Sequence, residues 1–318
     1  MVDIAAKSSP CCLFSTIGIA ITGYLALRLL FSIWNGLKAY VLSSEINFRK
    51  LGEWAVVTGA TDGIGKCYAF EFAKRGLNIC LISRTPKKLE EVAAEIEKTH
   101  NVKTKTVAVD FTAGNEIYDK IERETQGLDV GVLVNNVGMS YEYPQFMAEM
   151  DDSKNVLQKL LLANCMSILQ VTNIFLKTMV EKKKGAIINL SSASANDPTP
   201  LLTAYSACKS FVNFFSQGLE QEVSKSNVIV QSVLPYFVQT KMTGIKRPSL
   251  FVPSPTAYVK SALRTVGVED VTFGYWSHAL LGYFQTMAPD FFAKKQVMGK
   301  MLAARKSALR RKEKSKQN

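Results

Sequence analysis

Six short runs rich in valine, isoleucine and leucine recur along the chain after Gly52. Stretches with helical patterning lie between the first and second runs and between the second and third. The runs are EWAVVT (53–58), NICLIS (78–83), TKTVAV (104–109), VGVLVN (130–135), AIINLS (186–191) and VIVQSV (228–233). Apolar runs of this length are typical of strands that are covered on both faces. Residues 62–75 and 86–99 read as helices. The alternation predicts an α/β fold with a Rossmann-type, doubly wound parallel sheet.

An uncharged apolar run precedes this pattern, at residues 11–27. It is at the short limit for a membrane span, and Arg28, Trp34, Lys38 and Tyr40 supply interfacial anchors on one side. We therefore expect an N-terminal membrane-anchor helix. A cleaved signal peptide is the first alternative, disfavoured because the run is long and no small-residue cleavage site follows it. A helix lying in the membrane interface is the second, because residues 28–42 are amphipathic.

Two segments of different character follow the sixth apolar run. Residues 240–255, TKMTGIKRPSLFVPSP, are rich in turn-forming residues and predict a loop or lid. Residues 274–292, GYWSHALLGYFQTMAPDFF, are strongly aromatic and apolar. A core helix, a wall of a substrate tunnel and a second membrane contact all remain open for this stretch.

The positive charge of the chain is concentrated at its C-terminus. The formal net charge is +12, and residues 294–318 contain ten lysines and arginines against one glutamate. Such a basic tail contacts anionic lipid, nucleic acid or only water, and the absence of a DNA-binding motif argues against nucleic acid.

The six cysteines form no C-x-x-C pair and only two histidines are present. We therefore expect no metal site and no Ser-His-Asp hydrolase.

A glycine-rich loop, TGATDGIG, follows the first predicted strand and opens a helix. The glycines at 59, 63 and 65 let the backbone approach a ligand, and a helix N-terminus attracts phosphate, so the loop predicts a dinucleotide site. Arg84 ends the second strand, where an arginine suits the 2′-phosphate of NADP and an acidic residue would suit NAD. The alternative is that Arg84, Lys87 and Lys88 form a solvated helix start.

Tyr205 precedes Lys209 by four residues in a stretch without proline, LLTAYSACKSF. At this spacing the two side chains share a helix face, where the ammonium group is expected to lower the pKa of the phenol. Such a tyrosine would be a proton donor. The alternative is an ordinary tyrosine beside a solvated lysine.

Together these motifs resemble the short-chain dehydrogenase/reductase superfamily over roughly residues 52–236. TGATDGIG resembles its cofactor loop, NNVG (135–138) its element after the fourth strand, and YSACK its Tyr-x-x-x-Lys motif. Ser192 in LSSAS and Asn164 precede Tyr205 at close to the family's usual spacing. Asp110 matches the aspartate that contacts adenine.

The resemblance implies a set of site residues. The catalytic residues are expected to be Ser192, Tyr205, Lys209 and Asn164. The NADPH-binding residues are expected to be Thr58, Gly59, Asp62, Gly63, Ile64, Gly65, Ser83, Arg84, Asp110, Asn136, Tyr205, Lys209 and Thr240. The phenol would protonate the carbonyl oxygen as hydride arrives, and the serine would hydrogen-bond that oxygen. The lysine would hold the nicotinamide ribose, and the asparagine would orient the lysine through a water.

Three further stretches, NNVGMSYEYP (135–144), SVLPYFVQTKM (232–242) and SRT (83–85), resemble the membrane-bound subfamily of very-long-chain 3-oxoacyl-CoA reductases and type 12 and type 3 17β-hydroxysteroid dehydrogenases. The implied reaction is reduction of long-chain and very-long-chain 3-oxoacyl-CoA in fatty-acid elongation. Reduction of a 17-ketosteroid is the alternative, and a catalytically silent membrane scaffold is a third hypothesis. One departure is Tyr236 after Pro235, where the superfamily usually has glycine but this subfamily shares the tyrosine.

Location and partners follow from the same comparison. Lys314 and Lys316 match a dilysine signal of endoplasmic reticulum membrane proteins, which is read from the cytosol. The sequon at Asn189 lies in a predicted strand, where a glycan does not fit. We expect contacts with acyl-CoA or steroid, with membrane lipid, with a second copy of the chain and with elongation enzymes. Three basic residues of the lid would meet either coenzyme A phosphates or anionic lipid: Lys241, Lys246 and Arg247.

The expected domains are four. Residues 1–50 form the anchor and linker, residues 51–239 the NADP-binding catalytic core, residues 240–292 the substrate lid with apolar helices, and residues 293–318 the basic tail with its dilysine signal.

Overall fold

The computed structural model describes residues 10–287 and 290–317. Residues 1–9 of the expected anchor region, residues 288–289 of the expected apolar helices and residue 318 of the expected tail lie outside the described chain. The chain divides into two compact units, of which the first ends at Ser43 and the second begins at Ser44.

The described part of the first unit is mostly one long helix. Helix α1 (Pro10–Leu37) has 28 residues and continues as a π-helical turn over Lys38–Leu42. The stretch Phe14–Leu42 is long and apolar enough to cross a membrane, and large apolar side chains along it are exposed. The stretch Ser153–Glu181 of the second unit meets the same criteria, but half of it is buried inside the protein, as in a core helix.

The second unit is built on a seven-stranded parallel sheet of order β3-β2-β1-β4-β5-β6-β7. The strands are β1 (Trp54–Thr58), β2 (Asn78–Ser83), β3 (Thr104–Ala108), β4 (Val130–Asn135), β5 (Gly185–Leu190), β6 (Val228–Val233) and β7 (Val271–Thr272). Six of them are the predicted strands, with ends that agree within one residue, so the predicted fold class is confirmed. The seventh escaped sequence analysis because two residues carry no periodicity.

Helices flank the sheet on both faces. The helices of the second unit are α2 (Gly63–Lys74), α3 (Pro86–His100), α4 (Glu116–Thr125), α5 (Ser153–Leu161), α6 (Ser167–Glu181), α7 (Thr203–Val223), α8 (Pro255–Arg264), α9 (Trp276–Met287) and α10 (Asp290–Gln317). Local chemistry sets several ends. Asp62 caps α2 by accepting a hydrogen bond from the next backbone amide, Asn101 ends α3 in the left-handed conformation, and Ser254 caps α8.

Alternate strand residues supply two separate hydrophobic cores. On one face, residues such as Val57 and Leu81 pack with α2, α3 and α8. On the other face, residues such as Val56 and Ile82 pack with α4, α6 and α7. Because most positions of the central strands are buried on both faces, these strands read as runs rich in valine, isoleucine and leucine. β1 lies between β2 and β4, so the strand order reverses there, and a crevice for ligands is expected at the carboxyl ends of these strands.

The C-terminal third of the chain adds structure that the sequence left open. Residues 240–254 contain no helix or strand beyond an isolated bridge between Ser249 and Val252. Helix α9 buries Ser277 and His278, whereas its other face exposes Trp276. It is therefore partly a core helix, with an apolar outer surface. The basic segment that follows is helix α10.

Candidate active site

The expected catalytic side chains converge at the carboxyl ends of the central strands. Ser192 lies two residues after β5, where it caps a short 3-10 turn. Tyr205 and Lys209 lie in the first two turns of α7, and Asn164 lies in a π-helical turn between α5 and α6. Single π-helical turns are rare and occur often at functional sites.

Ser192 lies beside Tyr205, close enough for its hydroxyl to lower the pKa of the phenol. The Ser192 hydroxyl accepts hydrogen bonds from the Ser194 amide at 3.2 Å and the Ser194 hydroxyl at 2.9 Å. Burial raises the pKa of the Tyr205 phenol above its ordinary value of 10.0, and the Ser192 hydroxyl only partly offsets this. The prediction that Lys209 leaves this phenol with a lowered pKa is therefore wrong for this arrangement. The ammonium lies over the ring, 5.8 Å from its centroid.

Lys209 is buried beside this pair. Its Nζ donates a hydrogen bond to the Leu190 carbonyl at 2.9 Å, which fixes it against the end of β5. Burial lowers the pKa of Lys209 to about 8, because the charged form loses hydration. Keeping Lys209 charged in the folded protein therefore costs folding free energy.

Asn164 is completely buried and clamped to the chain after β4. Its amide donates to the carbonyls of Met139 and Leu160, both at 2.9 Å, and its oxygen accepts from the Met139 amide at 3.3 Å. A Cβ added at Gly138 would lie 2.9 Å from the Asn164 oxygen and 3.1 Å from Lys209 Nζ. The asparagine and the lysine therefore face one small space, which only a glycine at position 138 leaves open.

The glycine loop forms a cradle at the start of α2. Gly59 and Gly63 adopt φ angles of 65° and 53°, in the left-handed region that favours glycine. A Cβ at Gly65 would lie 2.4 Å from the Gly59 carbonyl oxygen and 2.4 Å from Asn136 Nδ2. Asn136 holds the cradle by donating to the carbonyls of Thr58 at 3.0 Å and Gly59 at 3.2 Å. The cradle therefore keeps a flat backbone surface beside the first-turn amides of α2, including that of Ile64, as a dinucleotide pyrophosphate requires.

A groove of about 560 Å³ lies beside this cradle, lined by Gly63, Thr240, Lys241 and Lys246 among others. A Cβ at Gly63 would meet Thr240 Cγ2 at 3.3 Å, so this threonine lies directly over the loop. Lys241 forms an ion pair with Asp62. Burial raises the pKa of Asp62, but the hydrogen bonds from Lys241 and the Gly63 amide outweigh it and the net shift is downward. Lys241 thus lies at the cofactor end of the site.

Two strand ends form the outer edge of the crevice. Ser83 ends β2, and its hydroxyl lies 3.0 Å from the Thr61 hydroxyl. The Arg84 guanidinium lies 3.9 Å from the Asp110 carboxylate, and its side chain is 74% exposed. Burial raises the pKa of Asp110, but hydrogen bonds from Thr112 and the charge of Arg84 bring it below the ordinary value. An exposed cation at this position can receive a phosphate on the adenosine ribose.

Sequence analysis missed a hydrogen-bonded relay that ends at Asp197, five residues after Ser192. The Tyr236 hydroxyl donates to Gln285 of α9, and the Gln285 amide donates to Asp197. Burial, together with the charge of Asp197, raises the pKa of Tyr236 to about 12. Tyr236 could be singled out from the sequence, because it follows Pro235 where the superfamily usually has glycine. Asp197 and Gln285 belong to no sequence motif.

His278 of α9 was likewise missed. Its Nδ1 accepts a hydrogen bond from the Tyr236 amide and its Nε2 lies near the Phe251 carbonyl, both at 3.3 Å. Burial lowers its pKa to about 4, so the ring is neutral at physiological pH. It therefore joins α9, the segment after β6 and residues 240–254 without carrying charge. No group of three or more potential metal ligands occurs in the described ranges, 10–287 and 290–317.

Comparison with curated proteins finds extensive similarity to reductases. The chain is 47% identical over 300 residues to very-long-chain 3-oxoacyl-CoA reductase of Homo sapiens, covering 94% of this chain and 96% of that one. It is 51% identical over 276 residues to the protein of the same name from Bos taurus, covering 86% and 88%.

Solved structures share the fold. A structure of 7β-hydroxysteroid dehydrogenase aligns with a TM-score of 0.70 at 21% identity, covering 79% of this chain and 99% of that chain. A short-chain dehydrogenase from Sphingobium yanoikuyae in complex with NADPH aligns with a TM-score of 0.63 at 28% identity, covering 74% and 98%.

The family model for short chain dehydrogenases matches residues 53–249, which span the sheet from β1 to β6, the glycine cradle and the Ser192, Tyr205 and Lys209 cluster. The chain therefore belongs to the short-chain dehydrogenase family.

Proposed function

We propose that the protein reduces the 3-keto group of long-chain and very-long-chain 3-oxoacyl-CoA with NADPH. The observation that carries this proposal is the Ser192–Tyr205 pair beside Lys209, next to a dinucleotide cradle. The substrate class comes from relatives that share 47% to 51% identity with most of the chain.

When bound in the cradle, NADPH would supply the hydride that reduces the carbonyl carbon. Tyr205 donates a proton to the carbonyl oxygen, and its raised pKa keeps the phenol protonated before the reaction. The Ser192 hydroxyl hydrogen-bonds the same oxygen as negative charge develops on it. The ammonium group over the Tyr205 ring stabilises the phenolate that remains.

Lys209 and Asn164 organise the proton donor in this proposal. The Lys209 ammonium reaches the nicotinamide ribose and keeps its bond to the Leu190 carbonyl. Asn164 acts on the lysine through one water in the space beside Gly138, where both side chains point. The clamp on Met139 holds Asn164 in place during turnover.

The cofactor-binding residues divide into three groups. The pyrophosphate is held by the cradle and the first turn of α2, namely Thr58, Gly59, Asp62, Gly63, Ile64, Gly65 and Asn136. The adenosine end is held by Ser83, Arg84 and Asp110, with Arg84 on the 2′-phosphate of NADPH. Thr240 lies over the glycine loop. The neighbouring Lys241, which is paired with Asp62, is better placed to bind the phosphates of the cofactor than those of coenzyme A.

We further propose that the protein is anchored in the endoplasmic reticulum membrane by α1, with its catalytic body in the cytosol. The dilysine signal expected at Lys314 and Lys316 is part of this proposal, and the side chain of Lys316 lies outside the described part of the chain. Asn189 is fully buried, and its amide donates to Ser216 at 2.9 Å, so its sequon is inaccessible to a glycan. The proposed partners are membrane lipid, the enzymes of fatty-acid elongation and a second copy of the chain. The second copy would pack against the helices that carry Asn164 and Tyr205.

The proposed domain organisation assigns a role to each part of the chain. Residues 1–50 anchor it, residues 51–239 bind NADPH and carry the chemistry, residues 240–292 cover the substrate, and residues 293–318 form the basic C-terminal segment. Ser43, at which the first compact unit ends, lies within the first of these parts.

The direct test is NADPH oxidation by detergent-solubilised protein. A long-chain 3-oxoacyl-CoA and a 17-ketosteroid are offered in parallel. Turnover of the acyl-CoA, abolished by removal of the Tyr205 hydroxyl, is the expected result. Turnover of the steroid alone would replace the acyl-CoA proposal with 17-ketosteroid reduction, and oxidation with neither substrate would remove both.

A further inference from the structure

Helix α10 grips the loop between β4 and α5, residues 139–150, at two points. Arg305 forms an ion pair with Glu149, and its guanidinium lies 5.1 Å from the Phe146 ring centroid. Lys312 lies 3.1 Å from the Glu142 carboxylate and 5.3 Å from the Tyr143 ring centroid. Arg305 and Lys312 are seven residues apart, which is about two helical turns, so both project from one face of α10.

The same loop holds the catalytic residues from the other side. Met139 clamps Asn164 through two hydrogen bonds. The Gln145 amide donates to the Leu201 carbonyl at 3.0 Å. The Tyr141 hydroxyl accepts from the amide of Ala204, the residue before Tyr205, at 3.0 Å. The β4–α5 loop therefore connects α10 to the beginning of the catalytic helix.

The contacts of α10 are more specific than those of a solvated basic segment. Each of the two basic residues meets one carboxylate and one aromatic face of the loop. The Arg305 side chain is only 21% exposed, and its Nη1 is buried without a hydrogen-bond partner among the described atoms. Desolvation strengthens charge pairs and cation–π contacts, so this arginine is the stronger of the two grips.

We propose that α10 is a clasp that positions the β4–α5 loop, and through it Asn164 and the start of α7, for the reaction. Arg305 and Lys312 are positioning residues in this proposal and touch neither substrate nor cofactor. The catalytic consequence rests on the proposed reductase function. The structural consequence, an ordered loop, does not.

The experiment compares three variants of the full-length protein in detergent. R305E/K312E reverses both grips. A variant that adds E149R and E142K to these two substitutions restores opposite charges at both points. K306E/R310E changes the net charge by the same amount at exposed residues of α10, for which the described part of the chain shows no hydrogen bond or ion pair with the loop. Hydrogen–deuterium exchange of residues 139–150 is measured first, followed by kcat and KM for NADPH-dependent reduction of a long-chain 3-oxoacyl-CoA.

Loss of the clasp is expected to increase amide exchange in the loop by about tenfold, since two surface ion pairs and two cation–π contacts each contribute modestly. We expect a lower kcat in the same variant, return of both quantities towards wild type in the charge-swapped variant, and no change in K306E/R310E. Unchanged exchange in R305E/K312E, or an equal change in K306E/R310E, would overturn the clasp. A charge-swapped variant that stays as exchangeable as R305E/K312E would also overturn it. A wild-type protein that does not reduce the acyl-CoA would instead count against the proposed function, because the exchange measurement stands without it.

Discussion

The Tyr236 hydroxyl donates a hydrogen bond to the side-chain oxygen of Gln285, at 2.5 Å. The Gln285 amide extends this contact to Asp197 at 2.6 Å. Asp197 lies five residues after Ser192, in the connection that follows β5, and Tyr236 lies three residues after the end of the neighbouring strand, β6. The relay therefore ties α9, through Gln285 at its centre, to two segments that border the proposed site of reduction.

Tyr236→Phe should loosen α9 without removing any proposed catalytic group. The lost hydrogen bond costs about 1 kcal/mol, and it leaves the Gln285 oxygen without its donor. We expect faster amide exchange over residues 276–287 and a higher KM for the long-chain substrate, with NADPH affinity retained. Tyr283→Phe, on the same helix, is the matched control. Identical exchange in the two variants would show that the relay does not hold α9.

Tyr205→Phe removes the proposed proton donor while leaving the ring in place. General acid catalysis contributes roughly 10²- to 10⁴-fold, so kcat should fall within that range. Binding of NADPH, followed by its fluorescence, should change little because the glycine cradle is untouched. A variant that retains wild-type turnover would exclude Tyr205 from this role.

Gly138→Ala should impair catalysis more than folding. The added methyl group would stand about 3 Å from both the Asn164 oxygen and the Lys209 ammonium, at 2.9 Å and 3.1 Å. One of the two side chains must move, so we expect at least a tenfold fall in kcat with a smaller change in thermal stability. Gly218→Ala is the control, because Gly218 lies in helix α7 with nothing within 4 Å of an added Cβ. A normal kcat for Gly138→Ala would exclude the shared space as a requirement.

The sheet could be predicted from the sequence because burial on both faces leaves a direct trace. Strands such as β4 and β5 are buried at every position, and each appears in the sequence as a mainly apolar run with a single asparagine. The two-residue β7 leaves no such trace, and α10 reads only as a basic segment because its partners lie more than 150 residues away. Long-range pairing of this kind has no local pattern.

Candidate site residues could be predicted where chemistry imposes a spacing. Tyr205 and Lys209 share a helix face because they are four residues apart, and that inference needs no tertiary information. The direction of the Tyr205 pKa was predicted wrongly because burial of the phenol depends on the packing around α7 and cannot be read from spacing. The same holds for Gln285, which meets Asp197 across 88 residues of sequence.

Arg84→Ser should weaken selection for the 2′-phosphate of NADPH. A hydrogen bond to a charged group contributes about 1.5–3 kcal/mol, so the KM for NADPH should rise roughly 10- to 100-fold. The KM for NADH should change little, since that cofactor has no phosphate at this position. Lys87→Ser, an exposed neighbour at the start of α3, is the control for general loss of charge. Equal effects on both cofactors would argue against a contact between Arg84 and the phosphate.

Lys209→Met should abolish activity yet stabilise the protein in neutral solution. The pKa of this lysine falls from 10.5 to about 8 in the folded chain, so its burial as a cation costs at most about 3 kcal/mol below pH 8. Between pH 8 and 10.5 the unfolded chain binds a proton that the folded chain has released. The free energy of unfolding of the wild type therefore rises with pH in this window, relative to the variant.

The test of this prediction is the slope against pH, because loss of the bond to the Leu190 carbonyl lowers the stability of the variant by a nearly constant amount. Thermal denaturation of both proteins at pH 7, 9 and 10.5 should show the advantage of Lys209→Met shrinking as the pH rises. All other titrating groups are common to the two proteins and largely cancel. A difference that stays constant from pH 7 to 10.5 would mean that Lys209 keeps an ordinary pKa, and that its charge is not held at a cost to the fold.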